Sequence, residues 1–534
     1  MSATFRVWAP RASRVDLVVN GERRAMSAAP GGWWTAPGAT PGARYGFSLD
    51  GGDVRPDPRS PFQPDGVLGL SEVIDHARFT WQDGEWQGAD LAGAVIYELH
   101  VGAFTPEGTF DSTIEKLPHL VDLGVTAVEI LPVAEFGGDH GWGYDGASLY
   151  APHHAYGGPD GLKRLVDACH RSGLAVILDV VYNHLGPVGN FLGEFGPYFT
   201  ERYHTPWGAA LNFDGRGSDE VRRFFVDNAL MWLRDYHFDG LRLDAVHAIL
   251  DQSPTHVLEQ LACEVHDAQP QALLIAESDM NDPRLVWPRE RGGFGLDGVW
   301  SDDWHHSLHA LITGERSGYY EDFGAPEQLA TALRRAWVYD GAYSRFRGHT
   351  RGRRPDGIPS HRFVIAAQNH DQVGNRAAGD RLSLHPMAIS ALLLTTQFTP
   401  MLFQGEEWAA STPFQYFTDF SDPQLARAVR DGRRREFEDF GWRPEDVPDP
   451  NAPETFERSK LNWAELDHPK HRKVLDWYRS LLALRRRLPV CTSPVGEDVQ
   501  VQLDAGVLRF ERDGVVVKVD VGRDWAVDVA ETRG

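Results

Sequence analysis

Three short segments of this chain place an acidic residue at or just after the end of an apolar, strand-like run. They are residues 240–247 with Asp244, residues 275–279 with Glu277, and residues 368–375 with Asp371. Asp244 and Glu277 lie 33 residues apart, about one β/α unit of a (β/α)₈ barrel, in which roughly 250 residues form eight units. Carboxylates that end strands of one barrel share one face of it. This feature predicts a barrel with its acidic groups gathered at one end.

The pattern around these segments supports the barrel. From about residue 94, continuous apolar runs alternate with helical patterns, of which two fall at about 113–123 and 160–172. Continuous apolar runs are typical of strands that are covered on both faces, and their alternation with helices is typical of parallel βαβ units. Eight strands are predicted, at about 95–100, 125–131, 174–181, 238–243, 272–276, 298–300, 363–367 and 401–403.

The regions on either side of the predicted barrel show short β-like runs without intervening helical patterns. Residues 1–88 are short β-like runs separated by turn residues, which predicts a β-sandwich that ends at the polar stretch 82–87. The barrel is predicted over 89–488, with insertions at about 184–217 and 405–465 and a closing helix at 471–488. Residues 489–534 predict a small antiparallel β domain with strands at 499–503, 506–510 and 515–521. The predicted fold class is therefore α/β, a TIM barrel between two β domains.

Charge and cysteine content narrow the function. The formal net charge of −23 disfavours nucleic acid and anionic membranes as partners, and it suits a neutral substrate. The basic runs 433–435 and 485–487 are interpreted as solvated helix faces. The cysteines Cys169, Cys263 and Cys491 match neither a metal-ligand spacing nor a disulfide framework, so we expect buried or inert thiols in a reducing compartment. With no signal-peptide pattern and no apolar stretch of about 18 residues, we expect a cytoplasmic protein.

Two of the acidic residues have the chemistry that cleavage of a glycosidic bond requires. Arg242 lies on the same face of its strand as Asp244 and favours an ionised carboxylate, which a nucleophile needs. Glu277 follows the apolar residues 273–276, and a carboxyl group in apolar surroundings has a raised pKa and can act as a general acid. Taken singly, the first pair is equally a structural ion pair, and a lone Glu277 is more commonly a surface or helix-cap residue.

Further polar clusters follow other predicted strands. In residues 368–376, His370 can donate a hydrogen bond to a sugar hydroxyl and Asp371 can accept. The alternative is an Asn/Asp turn, but so dense a polar cluster after an apolar strand is rarely only a turn. Residues 179–184 end the third strand with His184, and Asp145 follows the second beside Trp142 and Tyr144. Aromatic rings there can stack on sugar, although buried packing is their commoner use. Because all the clusters follow barrel strands, they are expected on one face.

Four segments resemble the conserved regions of the α-amylase family of glycoside hydrolases: 179–184, 240–247, 276–279 and 369–371. The resemblance covers nearly the whole chain. It implies that Asp244 is the nucleophile, Glu277 the acid/base and Asp371 the transition-state stabiliser, in a reaction that retains anomeric configuration. It also places Arg242, His184 and His370 around the scissile sugar.

Within that family the chain is most similar to the malto-oligosyltrehalose trehalohydrolases, through residues 97–110, 136–146, 244–249, 276–283, 302–309 and 368–376. This resemblance implies cleavage of the α(1→4) bond next to the terminal trehalose of maltooligosyl trehalose, downstream of a maltooligosyl trehalose synthase. It also implies a carbohydrate-binding-module-like N-terminal domain. No cofactor and no metal are predicted, although Asn183 matches a calcium-ligand position of secreted amylases. The expected substrate-binding residues are Arg242, His247, His184, Trp142, Tyr144, Asp145, Asp302, Asp303, His305, His306, His370, Gln372 and Asn375.

Two alternatives remain at this point. A glycogen-branching α-glucan transferase has the same catalytic carboxylates, so these residues do not exclude it, whereas the stretches 302–306 and 370–375 favour the hydrolase. A catalytically inactive, glucan-binding barrel is expected to lack one or more of the carboxylates, and all three are present.

Overall fold

The computed structural model describes residues 3–438 and 443–531. All eight predicted strands form a closed parallel barrel, which confirms the (β/α)₈ fold. The first strand pairs with the second and, to close the ring, with the eighth. The barrel strands are Ile96–Leu99, Ala127–Ile130, Ala175–Val180, Gly240–Leu243, Leu273–Ala276, Gly298–Trp300, Phe363–Ala366 and Thr399–Phe403.

Four charged residues interrupt the otherwise apolar barrel strands. Glu98 is paired in register with Glu129, and Asp179 is paired with Arg242. All four are buried, with Arg242 completely inaccessible to solvent. Because a buried charge is costly unless it is paired and hydrogen-bonded, these residues mark the barrel interior as the support of a site.

Helices surround the barrel. The predicted helix at about 113–123 is two helices, Phe110–Ile114 and Leu117–Leu123, because Pro118 has no N–H to donate to the carbonyl of Ile114. The other helices that follow or connect barrel strands are Val101–Phe104, Gly158–Arg171, Ser218–Asp235, Val257–Ala268, Asp302–Thr313, Pro326–Arg335, His370–Gly374, Pro386–Thr395 and Pro469–Arg485.

The N-terminal region contains two antiparallel sheets. One has the strands Ala3–Trp8, Ser27–Ala29 and Trp33–Ala39; the other has Val15–Val19, Glu22–Ala25, Arg44–Leu49, Val54–Arg55 and Ser71–Glu72. Their buried side chains include Phe5, Leu17 and Phe47. The first of these sheets contacts the insertion that follows the third barrel strand. There Trp8 packs edge to face against Tyr198, with ring centres 5.5 Å apart. Met1 and Ser2 lie outside the described residues, and the boundary at residue 88 stays a prediction.

Both predicted insertions contain secondary structure. The first holds the helix Leu192–Phe195 and a hairpin of Phe199–Thr205 and Gly208–Leu211. The second holds the helices Pro423–Glu438 and Pro453–Ser459, and its residues 439–442 lie outside the described residues. Two further pairs of strands were not predicted: the short pair Ala134–Glu135 and Ser148–Pro152, and a hairpin of Asp340–Ser344 and His349–Gly352 between the sixth and seventh barrel strands.

The C-terminal region is a four-stranded antiparallel sheet of Gln500–Asp504, Val507–Arg512, Val515–Asp520 and Val527–Glu531, of which the last strand was not predicted. Residues 532–534 of the predicted domain lie outside the described residues. The three cysteines are unpaired, and Cys263 is partly exposed rather than buried. No helix in residues 3–438 and 443–531 is long and apolar enough to cross a membrane.

Candidate active site

Asp244 lies immediately after the fourth barrel strand and is held by two side chains. Arg242 Nη1 donates to its Oδ1 at 2.7 Å, and Asn183 Nδ2 donates to its Oδ2 at 2.6 Å. Asn183 also donates to the main-chain carbonyl of Asp244 at 2.8 Å. Each oxygen of Asp244 therefore accepts one short hydrogen bond, which fixes the carboxylate in place. The Asn183 side chain is thereby engaged with the candidate nucleophile.

Arg242 is the buried cation that organises the site. Its Nη1 lies 2.9 Å from both carboxylate oxygens of Asp179, and its guanidinium lies 4.2 Å from the centre of the Trp300 ring. Burial lowers the pKa of Arg242, but the charges of Asp179 and the other acidic groups outweigh burial and raise it well above its usual value. Arg242 is therefore a permanent positive charge in the floor of the site.

Glu277 follows the fifth strand and faces the same guanidinium. Its Oε2 lies 3.8 Å from Arg242 Nη2 and accepts a 2.6 Å hydrogen bond from the main-chain N–H of Ala245. Ala245 has the left-handed conformation, with φ 39° and ψ 50°, which a non-glycine residue adopts at a cost. Burial raises the pKa of Glu277 well above its usual value. The charge of Arg242 lowers this pKa, whereas the nearby charges of Asp244, Asp302 and Asp371 raise it further. Glu277 can therefore carry a proton beside Asp244, whose oxygens accept hydrogen bonds.

Asp371 follows the seventh strand and is the most open of the three carboxylates, with 44% of its side chain exposed. It lies in the short helix His370–Gly374, which Asn369 caps by accepting from the N–H of Gln372. Its Oδ2 lies 3.5 Å from His370 Nε2, and its Oδ1 lies 3.4 Å from Asn375 Nδ2. An exposed carboxylate beside a buried site is available to accept hydrogen bonds from a ligand.

His370 connects Asp371 to the first barrel strand. Its Nδ1 lies 2.7 Å from Glu98 Oε1, its main-chain N–H donates to Glu98 Oε2 at 3.0 Å, and its Nε2 lies 2.7 Å from the Tyr144 hydroxyl. Burial lowers the pKa of His370, but Asp371 and Glu98 outweigh it and raise the pKa to about 9. At neutral pH the imidazole is charged, so Nδ1–H donates to Glu98 and Nε2–H donates to Tyr144.

The aromatic residues of the second strand's loop lie beside this histidine. Tyr144 is stacked on His370 with ring centres 5.2 Å apart and donates to Asp179 Oδ2 at 2.5 Å. Trp142 is buried and donates to the carbonyl of Gln415 at 2.8 Å. Burial alone raises the pKa of Asp145 to about 6. Tyr144 therefore links two members of the site, whereas Trp142 packs beneath it.

His184 closes the side of the site that the third strand forms. Its Nε2 lies 3.0 Å from the carbonyl of Tyr144, and its Nδ1 faces Asn183 Oδ1. Its ring stacks on Trp207 at 5.0 Å, and Trp207 lies at the tip of the first insertion's hairpin with 47% of its surface exposed. The hairpin thus brings an open aromatic face to the edge of the site.

Residues 302–306 follow the sixth strand, and their side chains face different surroundings. Burial, with the charges of Asp279, Asp371 and Asp303, raises the pKa of Asp302 to about 7, and Asp302 Oδ1 lies 3.4 Å from Gln372 Nε2. Asp303 is turned into the protein, where its Oδ2 accepts from the N–H groups of Val338 and Tyr339 and from Asn281. Asp302 and Gln372 therefore join the Asp371 side of the site, and Asp303 supports the neighbouring loop.

The two histidines of this segment, His305 and His306, also have different surroundings. His305 is buried, with Nδ1 2.6 Å from the carbonyl of Ala367 and Nε2 2.8 Å from the Tyr320 hydroxyl. His306 lies among aromatic rings, 4.7 Å from that of Tyr319, and burial lowers its pKa to about 3. His305 therefore positions the strand end, and His306 is a neutral group.

Two expected residues lie at the rim. His247 Nδ1 is 3.9 Å from Asp279 Oδ1, and Asp279 is also paired with Arg347 and Arg351. On the opposite rim, Asn375 Oδ1 accepts from Arg433 Nη1 at 3.1 Å. Arg433 belongs to a basic run interpreted above as a solvated helix face, so for this residue that interpretation is wrong.

No role was predicted for four residues of the barrel strands beneath the site: Glu98, Glu129, Asp179 and Trp300. The signal was present, because a charged residue within a continuously apolar strand is unusual unless the strand supports a site. Glu129 is the extreme case, with no hydrogen-bond partner on either carboxylate oxygen and a pKa that burial raises well above its usual value. Asn183, noted only because it matches a calcium-ligand position, donates instead to Asp244.

One group among the described residues has the composition of a metal site, namely Glu135, His153 and His154. Both imidazole Nδ1 atoms contact the same carboxylate oxygen, at 3.1 Å for His153 and 2.8 Å for His154. The main-chain N–H of His154 donates to the other oxygen at 2.9 Å. The three side chains therefore form a hydrogen-bonded cluster, in which His153 Nε2 is buried without a partner in the described part of the chain.

Comparison with known proteins agrees with this geometry. Residues 74–201 match the family described as alpha amylase, catalytic domain. A malto-oligosyltrehalose trehalohydrolase of Arthrobacter ramosus is 51% identical over 100% of this chain and 95% of its own length. A crystal structure described as a putative alpha amylase from Salmonella typhimurium has a TM-score of 0.90 at 42% identity, covering 97% of this chain and 90% of that one. A 1,4-alpha-glucan branching enzyme of Vibrio parahaemolyticus is 34% identical over only 58% of this chain and 47% of its own length.

Proposed function

The chain belongs to the malto-oligosyltrehalose trehalohydrolase family of α-amylase-type glycoside hydrolases, and on that premise we propose which of its groups carry out the reaction. It is a glycosidase, and the reaction is hydrolysis of the α(1→4) bond next to the terminal trehalose of maltooligosyl trehalose. The products are trehalose and a maltooligosaccharide. Asp244 is the nucleophile, Glu277 the proton donor and Asp371 the group that stabilises the transition state.

The observation that carries this assignment is the arrangement of two carboxyl groups around Arg242. Arg242 Nη1 lies 2.7 Å from Asp244, and Nη2 lies 3.8 Å from Glu277. Asp244 accepts charged and amide hydrogen bonds, whereas the pKa of Glu277 is raised. A carboxylate held by hydrogen-bond donors, next to a carboxyl group whose raised pKa lets it carry a proton, is the arrangement of a nucleophile and an acid.

The first half of the reaction forms a covalent intermediate. A carboxylate oxygen of Asp244 attacks the anomeric carbon of the maltooligosyl unit, and the bond from that carbon to the trehalose oxygen breaks. Glu277 gives its proton to this oxygen, so trehalose leaves as a neutral alcohol and Glu277 becomes a carboxylate. Asp371, open to solvent and held beside the charged His370, accepts hydrogen bonds from hydroxyls of the distorted sugar.

The second half releases the sugar. Glu277, now ionised, takes a proton from a water molecule, and the water oxygen attacks the same anomeric carbon. The bond to Asp244 breaks, Asp244 returns to a carboxylate and Glu277 is again protonated. Because the carbon is attacked twice from opposite sides, the maltooligosaccharide is released with its original α configuration.

The remaining parts of the site bind the substrate. The proposed contacts are Arg242, His184, Tyr144, Asp145, Asp302, His370 and Gln372 around the scissile sugar, with His247 and Asn375 at the rims. Trp142, Asp303, His305 and His306 act through the residues they support. The enzyme acts in the cytoplasm on the product of a maltooligosyl trehalose synthase, and other α-glucan oligosaccharides are secondary substrates.

Product analysis tests the function. With maltotriosyl trehalose as substrate, we expect trehalose and maltotriose, with the maltotriose first appearing as the α-anomer in proton NMR spectra. Asp244→Asn is the control for a contaminating activity. Maltose in place of trehalose contradicts the proposed substrate, and new α(1→6) branches formed from amylose favour the branching-enzyme alternative.

A further inference from the structure

The arginines of the run 485–487 point in different directions. Arg487 lies at the surface, where it pairs with Glu531 and 58% of its side chain is exposed. Arg485, two residues earlier at the end of the helix Pro469–Arg485, is turned inward toward the base of the barrel. The interpretation of this run as a solvated helix face is therefore wrong for Arg485, and its charge needs an explanation.

The half-buried Arg485 and the buried Arg512 donate to the same carbonyl group. Arg485 Nη1 donates to the carbonyls of Leu394 and Thr396 at 3.0 and 2.8 Å. Arg512, which ends a strand of the C-terminal sheet and is 3% exposed, donates from its own Nη1 to the carbonyl of Thr396 at 2.5 Å. Two guanidinium groups thus share one acceptor, at the junction between the barrel and the C-terminal sheet.

The negative charge around these arginines is small. Among residues 3–438 and 443–531, no carboxylate lies within ion-pair distance of Arg485 or Arg486, while Arg512 Nε lies 3.0 Å from Asp513. The carbonyls of Leu394 and Thr396 are at the C-terminal end of the helix Pro386–Thr395, which supplies about half an elementary negative charge. Burial, and then the charge of Arg512, lower the pKa of Arg485 to about 9. The charges of Asp498 and Asp513 act on Cys491, and that of Asp90 acts on His361, both of which line the same region.

The arginines border a cavity of about 200 Å³. Arg485, Arg486, Arg512 and His361 line it together with the hydroxyl-bearing Thr126 and Thr399, at the amino-terminal ends of the barrel strands. The Arg486 guanidinium is held over Gly124, where a Cβ would lie 2.5 Å from Nη2. Arg485 is half-buried and has no carboxylate partner among the described residues, Arg486 is exposed at the cavity mouth, and Arg512 is buried. A poorly solvated cation is stabilised by a partner of opposite charge, and the open space beside these arginines is where an anion fits.

We propose that this cavity binds a small oxyanion with phosphate chemistry, either free phosphate or the phosphate group of a phosphorylated sugar. Arginine suits phosphate because its planar donors form paired hydrogen bonds to the oxyanion. The bound anion joins Arg485 and Arg486 of the last barrel helix to Arg512 of the C-terminal sheet. This site is at the end of the barrel opposite Asp244, so it is independent of the proposed catalytic function.

Isothermal titration calorimetry of the full-length enzyme tests the proposal, with sodium phosphate titrated at constant ionic strength in chloride. We expect one saturable site per chain in the wild type, weakened about tenfold or more in Arg486→Gln, which loses one charged contact. Arg487→Gln is the matched control, since Arg487 is adjacent but outside the cavity, and we expect affinity within about twofold of the wild type. Circular dichroism and trehalose release check that both variants are folded.

A second titration with glucose 6-phosphate distinguishes the two sources of the anion. Binding as tight as that of free phosphate, and weakened in Arg486→Gln, assigns a phosphorylated sugar, whereas binding of free phosphate alone assigns the inorganic ion. The proposal is overturned if neither probe shows saturable binding to the wild type. It is equally overturned if Arg486→Gln binds both probes as the wild type does.

Discussion

The two ends of the barrel stabilise arginines in different ways. At the carboxyl end, Arg242 is in contact with the carboxylates of Asp179 and Asp244. At the amino end, Arg485 has main-chain carbonyls as its acceptors. Carboxylates around a cation have their own protonation equilibria, which the cation shifts, whereas carbonyl groups do not titrate. The carboxyl end is therefore suited to proton transfer, and the amino end is suited to structure and to binding an anion.

Removing a carboxylate at the carboxyl end is expected to have the largest effect. Asp244→Asn removes the nucleophile and Glu277→Gln removes the transferable proton, while both keep the shape of the side chain. We expect each to lower kcat by about 10³-fold or more, since removing a member of a catalytic unit typically costs this much. The measurement is the initial rate of trehalose release from maltotriosyl trehalose.

The control for this prediction is Asp111→Asn, because Asp111 is an exposed aspartate paired with Arg164 on the outer helices. It is expected to keep nearly full activity. Near-normal rates in Asp244→Asn or Glu277→Gln, with unchanged circular dichroism, contradict the proposed roles. They also contradict the conclusion that the carboxyl end of the barrel is the end suited to proton transfer.

Glu98 is expected to have the next largest effect, through His370. Glu98 accepts both from Nδ1–H and from the main-chain N–H of His370, so Glu98→Gln removes the charge that holds the imidazole protonated. We expect the pKa of His370 to fall by at least one unit from about 9, and kcat/KM to fall about tenfold. NMR titration of ¹⁵N-histidine-labelled enzyme measures the pKa directly, with His370→Gln identifying the signal.

The same substitution changes the pH dependence of stability. A histidine whose pKa is raised by folding stabilises the folded state fully below its unfolded value of about 6.5, and this contribution is lost as the pH rises to about 9. It amounts to about 3 kcal/mol, and Glu98→Gln is expected to lose most of it. Glu129→Gln is the matched control, since Glu129 pairs with Glu98 in register but has no hydrogen-bond partner on its carboxylate. An equal shift in both variants contradicts a specific role for Glu98.

The sequence predicts the barrel well because each strand leaves a local signal. All eight strands are mainly apolar runs, and Asp244, Glu277 and Asp371 follow the fourth, fifth and seventh of them. Since strand ends of a parallel barrel converge, local positions were enough to bring these three residues to one face.

The contacts that set the chemistry are not local and leave weaker signals. Glu98 and His370 are 272 residues apart in the chain, so nothing near either residue indicates the other. Asp302 and Asp303 are adjacent and chemically identical, yet helix geometry turns Asp302 to the site and Asp303 to the main-chain N–H groups of Val338 and Tyr339. Arg485 and Arg487 differ likewise, because the helix end directs one inward and the other to solvent. Composition cannot separate such neighbours.

The smallest expected effect is at the amino end of the barrel, and it concerns stability rather than catalysis. Arg512→Met leaves the carbonyls of Thr396 and Pro489 without this donor, so we expect the free energy of unfolding to fall by about 2 kcal/mol, with little change in kcat. Urea unfolding in chloride buffer measures this difference. Arg487→Gln is the contrast, because its ion pair with Glu531 is exposed on both sides and is expected to contribute about 0.5 kcal/mol or less. If Arg487→Gln destabilises the protein as much as Arg512→Met does, inward and outward arginines at this junction are energetically alike, and the structural role proposed for the carbonyl-bound arginines of the amino end fails.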